Sequence, residues 1–248
     1  PALVVENVPS VVNSHGAVVD VARKLLMDEG YAVAEGVFRM DVLGGWQTRR
    51  RYFMIAVKEG DQKTLQRAVD DWRSAAGHVP NRMRPSLHAL WALEDLQDHS
   101  SDGIFDTPPV PGEDNILRIE ALFDRDIYDM PLDLRPECHR EGTSYGAVYG
   151  RMHADRPAPT ITTGIGSPGQ GRFIHPTRPR MITPHEAARL QGFPDGFGFV
   201  GKAPATRKAL AKWIGDAVPP FLGLIASGIA LGASLERPFE PPWYTDGG

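Results

Sequence analysis

The sequence predicts an α/β fold in which helices cover a sheet, followed by a second, irregular region. Two short apolar runs, residues 3–5 and 52–57, are typical of strands. Residues 16–29, between them, show helical periodicity. The middle of the chain differs, since it is rich in glycine, proline and arginine and contains only short β-like pieces.

Length and composition bound the class of protein. The 248 residues, of which 42% are hydrophobic and 23% charged, suit one large domain or two small ones. No apolar run approaches the ~20 residues that span a bilayer, so no membrane partner is expected. The single cysteine excludes an internal disulfide framework and fits a reducing cytoplasm. The net charge of -4 does not by itself indicate nucleic acid.

The first sixty residues predict a βαβ unit with an additional hairpin-like pair of strands. The run 3–5 suits a buried strand in a sheet covered on both faces. A helix is expected over 16–29, with Gly30 placed to cap its end. Its apolar face consists of Val18, Val21, Ala22 and Leu25. Further strands are expected at 31–40 and 52–57.

Five more helices are predicted from capping residues and apolar periodicity. Their expected ranges are 61–76, 86–96, 183–191, 206–213 and 220–231. The clearest start is that of the third, where Thr183 caps the helix, Pro184 suits the first position and Glu186 completes a capping box. The last helix is apolar on nearly every face and is expected to be buried.

Charge divides the middle of the chain into an acidic and a basic half. Residues 98–133 hold ten acidic residues and only two arginines, whereas residues 135–180 hold seven arginines and three acidic residues. In the basic half, β-like pieces at 145–149 and 160–163 are separated by glycines, and 164–171 is a glycine-rich loop. A solvated surface is the usual meaning of such charge runs.

A carboxylate directly follows the first strand. The run 3–5 ends in Glu6 and Asn7, and Pro9 blocks extension of the strand. Because ligands of open α/β sheets bind beyond the carboxyl ends of the strands, Glu6 is a candidate catalytic group. The alternative is that Glu6 is a solvated turn residue and Asn7 a turn former.

Four motifs occur along the chain. They are Glu6-Asn7-Val8; Gln47-Thr48-Arg49-Arg50-Arg51; residues 180–194, which contain Thr183-Pro184-His185-Glu186 and Arg189-Leu190-Gln191-Gly192; and Gly215-Asp216-Ala217-Val218-Pro219-Pro220. Together they resemble the DNA cytosine-5 methyltransferases, in the order that this family uses. The resemblance covers about residues 1–232. It implies a partial, Rossmann-like sheet of the S-adenosylmethionine-dependent methyltransferase type, with a small, irregular target-recognition domain.

The resemblance implies roles for the first two motifs. In the family a cysteine thiolate adds to carbon 6 of cytosine, and the resulting enamine takes the methyl group from S-adenosyl-L-methionine. A carboxylic group at ring nitrogen 3 stabilises the charge developing there, and Glu6 matches it. Asn7 would hold the turn and help to orient Glu6. Arg51 matches the arginine that reaches base oxygen 2 and a nearby phosphate, and Arg49 would orient the site. The alternative for residues 49–51 is a basic surface turn.

The resemblance also implies a double-stranded DNA partner, whose target base must leave the helix because stacking buries its ring faces. The expected organisation is residues 1–59 for the C-terminal half of the catalytic domain, 60–205 for target recognition, 206–234 for a helix returning to the catalytic domain and 235–248 for a tail. Candidate DNA contacts in the recognition domain are Arg135, Arg140, Arg151, Arg156, Thr162 and Arg172.

The third and fourth motifs have different expected tasks. The third is mainly scaffold, with His185 and Arg189 as polar partners within the domain rather than DNA contacts. The fourth lies beside the cofactor in the family, so Asp216 and Ala217 are cofactor-binding candidates. The usual asparagine of the family is Asp216 in this chain, and its charge would repel the carboxylate of the cofactor.

Two family motifs that precede the Glu-Asn-Val motif are not found in this sequence: the glycine-rich cofactor loop and the Pro-Cys nucleophile motif. Cys138 lies in the recognition region and is expected to be a stray thiol. A metal site that joins Cys138 and His139 to His153 or His175 lacks paired-cysteine spacing, so no metal is expected. The chain is therefore expected to be the C-terminal part of the enzyme, with the nucleophile supplied by a missing N-terminal half or by a second subunit.

The favoured function is a DNA cytosine-5 methyltransferase of a bacterial or phage restriction-modification system, located in the cytoplasm. The alternative is a non-catalytic DNA-binding relative that retains only recognition, which Asp216 favours and which Glu6 and Arg51 oppose. A nicotinamide enzyme on a similar sheet would need a glycine-rich fingerprint that this sequence does not contain.

Overall fold

The computed structural model describes residues 1–74, 87–99, 101–141, 147–199 and 205–239. It confirms the α/β class and separates into two compact units, Pro1–Pro85 with Val218–Gly248, and Ser86–Ala217. The strands assigned to the described residues are β1 (Ala2–Asn7), β2 (Tyr31–Arg39) and β3 (Arg50–Lys58). The α-helices are α1 (Val18–Asp28), α2 (Gln62–Ser74), α3 (Ala89–Leu93), α4 (Glu113–Asp124), α5 (Pro184–Gln191), α6 (Arg207–Asp216) and α7 (Pro220–Ser234).

The first unit is built around β3, the middle strand of a sheet of order β1-β3-β2. Both neighbours run antiparallel to β3, with Glu6 opposite Phe53 on one side and Ala34 opposite Ile55 on the other. The hairpin-like pair predicted for the opening strands is present, because residues 40–49 connect β2 to an antiparallel β3. The βαβ unit is not formed among the described strands, since β1 and β2 do not pair with each other and each lies beside β3.

Alternation along β3 places its two faces in two separate cores. Phe53 and Ile55 belong to the core that α2 and α7 cover. The residues of α2 and α7 in this core are Leu65, Val69, Trp72, Leu222, Ile225, Ala226, Ile229 and Ala230. On the other face, Met54 and Ala56 pack with Val19 of α1. The middle strand is therefore covered on both sides.

The burial expected for residues 3–5 is wrong. Leu3, Val4 and Val5 are 44%, 38% and 49% exposed, although they are extended and paired with β3. Among the strands that the structure describes, β1 pairs with β3 alone, so it lies at an edge and gains no cover from a second neighbour.

The apolar face assigned to α1 is wrong for three of its four residues. Val18, Val21 and Leu25 are all more than half exposed, whereas Ala22 packs as predicted, together with Leu26, against the core that contains the buried Val19. Helix α1 carries apolar residues on two sides, and periodicity alone does not show which side meets the sheet. The end of the helix follows the prediction, because the next turn places Gly30 in the left-handed region at φ 77°.

Helix α2 forms as its sequence predicts. The Asp61 carboxylate accepts a hydrogen bond from the Thr64 backbone N–H at 2.6 Å, and Leu65 and Trp72 are buried. The helix packs against β2 and α7 and belongs to the first unit. The compact units therefore divide the chain differently from the sequence-based boundary at residue 60, and the functional meaning of each unit stays a prediction.

The second unit is mostly irregular, as the composition of this part of the chain predicts. Isolated bridges join Arg151 to Ile174 and Ile174 to Met181. The strand expected at 160–163 is wrong, since these residues form no strand. The glycine-rich sequence around them permits turns that bring the backbone close to its neighbours without a ladder.

Helix α4 lies in the acidic stretch, where the sequence analysis predicted no helix. Its side chains Ile119 and Leu122 are buried. Glu113 and Asp114 lie in its first turn, where negative charge stabilises a helix. The predicted helix end at 76, the cap Ser86 and the strand residues 145–146 lie outside the described residues.

A buried carboxylate ties the third motif together. The predicted capping box is present, because Thr183 Oγ1 accepts from the Glu186 N–H at 3.0 Å and Glu186 Oε2 accepts from the Thr183 N–H at 2.8 Å. Arg180 forks onto the same carboxylate, with Nη1–Oε2 and Nη2–Oε1 both at 2.8 Å. His175 Nε2 lies 3.4 Å from Oε1. One carboxylate thereby fixes the start of α5 and the segment that precedes it.

The charges of this cluster respond to pH. Burial by itself raises the pKa of Glu186, but the hydrogen bonds from Arg180 and His175 outweigh burial and lower the pKa to about 2. Burial lowers the pKa of His175, and the Glu186 carboxylate only partly opposes that shift. The native state therefore favours an ionised Glu186 and a neutral His175.

The stretch Arg207–Ser234 has the length and apolar composition to cross a bilayer. It is not one continuous helix, because α6 ends at Asp216 and α7 begins at Pro220. Helix α7 places Leu222, Ile225 and Ile229 in the core of the first unit. It is therefore buried as predicted, in the way that is typical of a core helix.

We expect Glu186→Gln to remove the ionised acceptor and to leave Arg180 without its counter-charge. The pKa of Glu186 is about 2 in the folded chain and 4.5 in the unfolded chain. This difference adds about 3 kcal/mol to the free energy of unfolding above pH 4.5, and the contribution is lost as the pH falls towards 2. The lowered pKa of His175 further reduces the free energy of unfolding as the pH falls below about 6.5, the ordinary pKa of histidine. Urea unfolding of the wild type should show progressive weakening from pH 7 to pH 3.

In the same measurement Glu186→Gln should have a lower free energy of unfolding than the wild type at pH 7. Between pH 5 and pH 3 its free energy of unfolding should fall less than that of the wild type. Glu120→Gln, at an exposed position on α4, is the matched control and should follow the wild type. Equal losses between pH 5 and pH 3 in the wild type and in Glu186→Gln would contradict this role of the carboxylate.

Candidate functional site

The ends of two strands bring Glu6 and Arg51 together. Glu6 lies opposite Phe53 in the β1–β3 register. Because opposed residues, and residues two positions apart, share a face of the sheet, Arg51 points to the same side as Phe53 and Glu6. Arg51 Nε lies 2.8 Å from Glu6 Oε1, with the two side chains 15% and 22% exposed. The pair is thus held in place and is still accessible from solvent.

The motif that contains Arg51 alternates between buried and exposed side chains. Gln47 and Arg49 are buried, whereas Arg50 is exposed. The backbone carbonyl of Arg49 accepts from the Met40 N–H at 2.9 Å, where the chain turns from β2 to β3. Because the side chain of Arg49 is only 1% exposed, its position suits support of the site rather than contact with a ligand.

The negative charge of Glu6 favours the charged form of Arg51. Burial lowers the pKa of Arg51, and the charge and hydrogen bond of Glu6 oppose that shift. An arginine stays protonated at neutral pH under these conditions, so the Glu6 carboxylate faces a fixed cation. Arg51 Nη1 also donates to the Arg50 carbonyl at 2.8 Å, which orients the guanidinium plane. A carboxylate held in this way can exchange a hydrogen bond with a polar ring placed before it.

Asn7 stabilises the turn after the strand. Its Oδ1 accepts from the Val8 N–H at 2.8 Å, and a 3-10 helix, Pro9–Asn13, follows. This hydrogen bond ends the strand one residue after Glu6. The turn role that the sequence analysis gave to Asn7 therefore has a contact that can perform it.

The fourth motif begins at the end of α6, and its residues 215–217 belong to the second unit. Gly215 packs against the backbone of Thr162 and Thr163, where an added Cβ would collide with main-chain atoms. Glycine is required here by close approach rather than by an unusual φ. The Ala217 carbonyl accepts from Gln191 Nε2 at 3.0 Å, which ties the motif to α5.

Asp216, the last residue of α6, pairs with Lys212 one helical turn earlier. The Asp216 side chain is 53% exposed. A negative charge at a helix C-terminus is unfavourable, and the lysine four residues before it offsets that charge. The sequence analysis considered the charge of Asp216 alone, although the i,i+4 spacing of Lys212 was a signal that could have identified its partner.

Two of the six candidate DNA contacts hold the fold of the second unit. Arg151 Nε donates to the Pro176 carbonyl at 2.8 Å, and its guanidinium carbon lies 4.2 Å from the centroid of the Phe123 ring. Arg172 Nη1 donates to the carbonyls of Tyr128 and Arg151 at 2.9 and 2.8 Å. Each of these side chains satisfies backbone acceptors that an irregular segment would otherwise leave unpaired.

The other four candidates differ in exposure. Arg140 and Arg156 are exposed, while Arg135 and Thr162 are half-buried. Arg135 Nε donates to the Met130 carbonyl at 2.9 Å, and Thr162 Oγ1 accepts from the Gly164 N–H at 3.2 Å. The structure therefore does not bring all six side chains to the surface in the same way.

A cavity of about 300 Å³ lies beside the glycine-rich loop of the second unit. Its lining includes Thr163, Gly164, Ser167, Gln170, Arg207 and Lys208. Arg207 and Lys208 open helix α6, so two cations and a helix N-terminus meet there. Most of the lining is apolar, and Arg207 Nη1 already donates to the carbonyls of Ile104 and Thr107, so Lys208 and the helix N-terminus are the groups that favour an anion there.

The third motif supplies polar partners within the second unit. His185 Nδ1 lies 2.7 Å from Asp106 Oδ1, and Arg189 Nη1 lies 2.8 Å from Asp95 Oδ1. Arg189 also binds Asp195. Both side chains thus have the partners within the unit that the sequence analysis expected.

Cys138 lies in a 3-10 turn, Glu137–His139, and is exposed. Within the described residues, Cys138 does not join His139, His153 or His175 in a group with metal-binding geometry. His175 instead lies against Glu186. The described surroundings of the thiol thus offer no cluster of ligands.

The sequence is similar to those of known proteins along most of its length. Over residues 1–226 the sequence matches the family described as C-5 cytosine-specific DNA methylase. The type II methyltransferase M1.BsuMI of Bacillus subtilis (strain 168) is 40% identical over 225 residues, which are 90% of this chain and 49% of that protein. The type II methylase M.HgiDII of Herpetosiphon aurantiacus is 33% identical over 238 residues, 89% of this chain and 61% of that protein. The chain thus spans about half of the first relative and three fifths of the second.

Two solved structures share the fold. A Dnmt2 methyltransferase of S. pombe has a TM-score of 0.56 and 16% identity, covering 95% of this chain and 66% of that one. A DNA modification methyltransferase encoded within an E. coli prophage has a TM-score of 0.56 and 21% identity, covering 95% of this chain and 70% of that one. At these identities the likeness concerns the fold alone, and it confirms the methyltransferase-type α/β fold.

Proposed function

Because the chain belongs to the C-5 cytosine-specific DNA methylase family, we propose that it is the C-terminal portion of a DNA cytosine-5 methyltransferase. The substrate is duplex DNA, the methyl donor is S-adenosyl-L-methionine, and the product carries the methyl group on carbon 5 of the target cytosine. The Glu6–Arg51 pair at the end of β1 carries this proposal. It joins the first two family motifs at a position where a flipped base would meet both side chains.

The proposed reaction first activates carbon 5, which is a poor nucleophile in free cytosine. A thiolate adds to carbon 6, and the displaced electron density forms an enamine with charge developing at nitrogen 3. Glu6 takes part in this step as a carboxylic acid: it gives its proton to nitrogen 3, which neutralises that charge, and the carboxylate left behind pairs with Arg51. After methyl transfer, the carbon-5 proton passes to a water molecule, the thiolate leaves with the electron pair of its bond to carbon 6, and nitrogen 3 returns its proton to Glu6, which restores the aromatic ring.

Arg51 holds the carboxylate where this step needs it. Its Nε bonds Glu6, and the fork geometry of the guanidinium also suits base oxygen 2 and a neighbouring phosphate. Asn7 keeps the turn that carries Glu6, and the buried Arg49 supports the connection behind it. Preorganisation of this kind avoids rearrangement when the base arrives.

S-adenosyl-L-methionine would supply an electrophilic methyl group when bound. We assign Asp216 and Ala217 to its neighbourhood, as the fourth motif implies. Lys212 pairs with Asp216, so the carboxylate does not present an isolated negative charge to the carboxylate of the cofactor. The Gln191–Ala217 hydrogen bond would hold this segment in position.

We assign DNA contact first to Arg140 and Arg156, because both are exposed. Arg151 and Arg172 would act beneath the surface by holding the segments that present it. Arg135 and Thr162 are half-buried and remain candidates at its edge. The cavity beside Arg207 and Lys208 suits an anionic group such as a backbone phosphate.

The nucleophile and the cofactor loop would come from a missing half or from a second subunit. Two observations support this division. The relatives are longer than the region that this chain matches, which is 49% of one relative and 61% of the other. Cys138 is in the second unit within Pro136-Glu137-Cys138-His139, which does not match the Pro-Cys motif. A type II restriction-modification setting in a bacterial cytoplasm agrees with the names of these relatives.

The second candidate function is a DNA-binding relative without catalysis. The observation that favours it is Asp216 in place of the family's asparagine. The two functions differ in one measurable property, since only the enzyme transfers a methyl group once the missing part is supplied.

In the complete enzyme, we expect Glu6→Gln to slow methyl transfer by roughly 10²-fold or more, because the positioned acid at nitrogen 3 is lost. DNA affinity should change much less. Single-turnover transfer of a radiolabelled methyl group measures the rate, with Glu29→Gln, an exposed position of the same unit, as the control. Unchanged turnover in Glu6→Gln would remove this residue from the chemistry.

We expect Arg140→Gln and Arg156→Gln each to weaken DNA binding by the complete enzyme and to reduce its salt slope by about 1. Arg151→Gln is the contrasting variant, because its side chain bonds the Pro176 carbonyl and its loss should lower the melting temperature. Fluorescence anisotropy with a labelled duplex at several salt concentrations measures the slope. Unchanged affinity and slope in both exposed variants would place the DNA surface elsewhere.

We expect the 248-residue chain alone neither to methylate mixed-sequence duplex DNA nor to bind S-adenosyl-L-methionine tightly. Adding the segment that carries the Pro-Cys motif, as a fusion or a second chain, should restore transfer. Cys138→Ser should leave the restored activity intact, since the exposed thiol has no assigned role. Robust transfer by the chain alone that vanished in Cys138→Ser would overturn the proposed division.

A further inference from the structure

Three side chains of the second unit converge in a way that the proposed function does not use. They are His99, Asp106 and His185, whose ligand atoms lie within 4.8 Å of one another. We propose that this group binds one divalent transition-metal ion, and that Zn²⁺ suits its two imidazoles and one carboxylate best. The bound ion would link the three segments that carry these ligands. The three ligands lie in separate segments of the sequence and include no cysteine, so the cysteine spacing that predicted no metal could not reveal them.

The fold brings these residues together from distant parts of the sequence. His99 follows the 3-10 helix Glu94–Leu96, and its N–H donates to the Leu96 carbonyl at 3.1 Å. Asp106 lies in a turn that reaches α5, because the His185 N–H donates to the Phe105 carbonyl at 3.0 Å. The Phe105 ring also stacks on the His185 ring at 4.7 Å between centroids. Backbone and ring contacts thus position two of the three ligands without a metal.

The spacing of the ligand atoms suits a small cation. His185 Nδ1 lies 2.7 Å from Asp106 Oδ1, and His99 Nε2 lies 3.7 Å from the same oxygen. Ligand atoms around a tetrahedral Zn²⁺ are about 3.3 Å apart, as bond lengths near 2.0–2.1 Å require. The two distances lie on either side of that value, and the two histidine nitrogens lie within 4.8 Å of each other, so the half-exposed His99 side chain would have to move towards His185 to complete the geometry. Two imidazoles and a carboxylate would leave a fourth position for water.

Side chains around the three ligands already hold two of them in place. His185 Nε2 lies 3.2 Å from Asp195 Oδ1, and Arg189 holds that carboxylate through Nε–Oδ1 and Nη2–Oδ2 at 2.7 and 2.5 Å. Ser101 Oγ donates to Asp106 Oδ2 at 2.5 Å. Metal-bound histidines typically give their second ring nitrogen to such a carboxylate, which fixes the tautomer and the ring plane.

The surroundings of His185 call for positive charge. Carboxylate oxygens face both of its ring nitrogens, so a neutral imidazole can donate to only one of them. Either a second proton or a metal ion at Nδ1 satisfies the arrangement. His99 Nε2 lies 3.7 Å from Asp106 Oδ1. This second imidazole favours a metal ion over a second proton, because its nitrogen offers a further lone pair for coordination. His99 is 49% exposed, which leaves an entry path from solvent.

The test uses the full chain, freed of metal by a chelator and titrated with ZnCl₂ in a calorimeter. We expect one Zn²⁺ per chain and a rise in melting temperature on binding. His99→Ala should weaken binding by more than about 100-fold, and Asp195→Asn by about 10- to 100-fold, as is typical when a carboxylate that orients a metal-bound histidine is lost. Cys138→Ser and His153→Ala, outside the group, are the matched controls and should bind as the wild type does.

Because His99 is half-exposed, His99→Ala should fold, and urea unfolding of the metal-free variant checks this. If it does not fold, His99→Gln replaces it in the same titration. A failure to bind Zn²⁺, or equal binding by the wild type and the His99 variant, would overturn the site and leave a hydrogen-bonded group of Asp106, His185 and Asp195. The site and methyl transfer are independent, so neither result decides the other.

Discussion

The register between β1 and β3 is the constraint on which the proposed active site depends. It places Glu6 opposite Phe53, and therefore on the same face as Arg51 at the start of β3. A slip of one residue would turn Glu6 to the other face and break the ion pair. The register is itself protected, because β3 pairs along both edges and each of its faces lies in a separate core. The chemistry at the end of the strand thus rests on packing along its whole length.

The second unit depends on buried polar groups rather than on a sheet. Glu186 is almost fully buried, and it caps α5 while it accepts the fork of Arg180. Removing one partner would leave an unpaired buried charge, which costs more than the pair contributes. Arg151 and Arg172 satisfy backbone carbonyls in the same way. An irregular chain needs such side chains because it lacks the ladders that pair backbone groups elsewhere.

Charge in the sequence was informative only after each charged side chain had been given its partners. The basic half of the middle region predicted a surface for DNA, yet two of its arginines point inward to carbonyls. The acidic half carried no helix prediction, yet it contains α4 and supplies Asp106 to the candidate metal group. The charge of Asp216 predicts repulsion of the cofactor carboxylate, yet Lys212 pairs with it. A count of charges does not distinguish these cases, because partners come from other segments.

The sequence by itself determined the family, the strand-end position of Glu6, the cap of α2 at Asp61 and the capping box at Thr183, since these depend on residue types at short, fixed spacing. Tertiary structure decided the central position of β3, the exposure of residues 3–5 and the side of α1 that meets the sheet. It also decided which arginines are held internally and that His99 meets His185. Periodicity shows that a segment has an apolar side, but contacts between distant segments select the side that is buried and the partner that covers it.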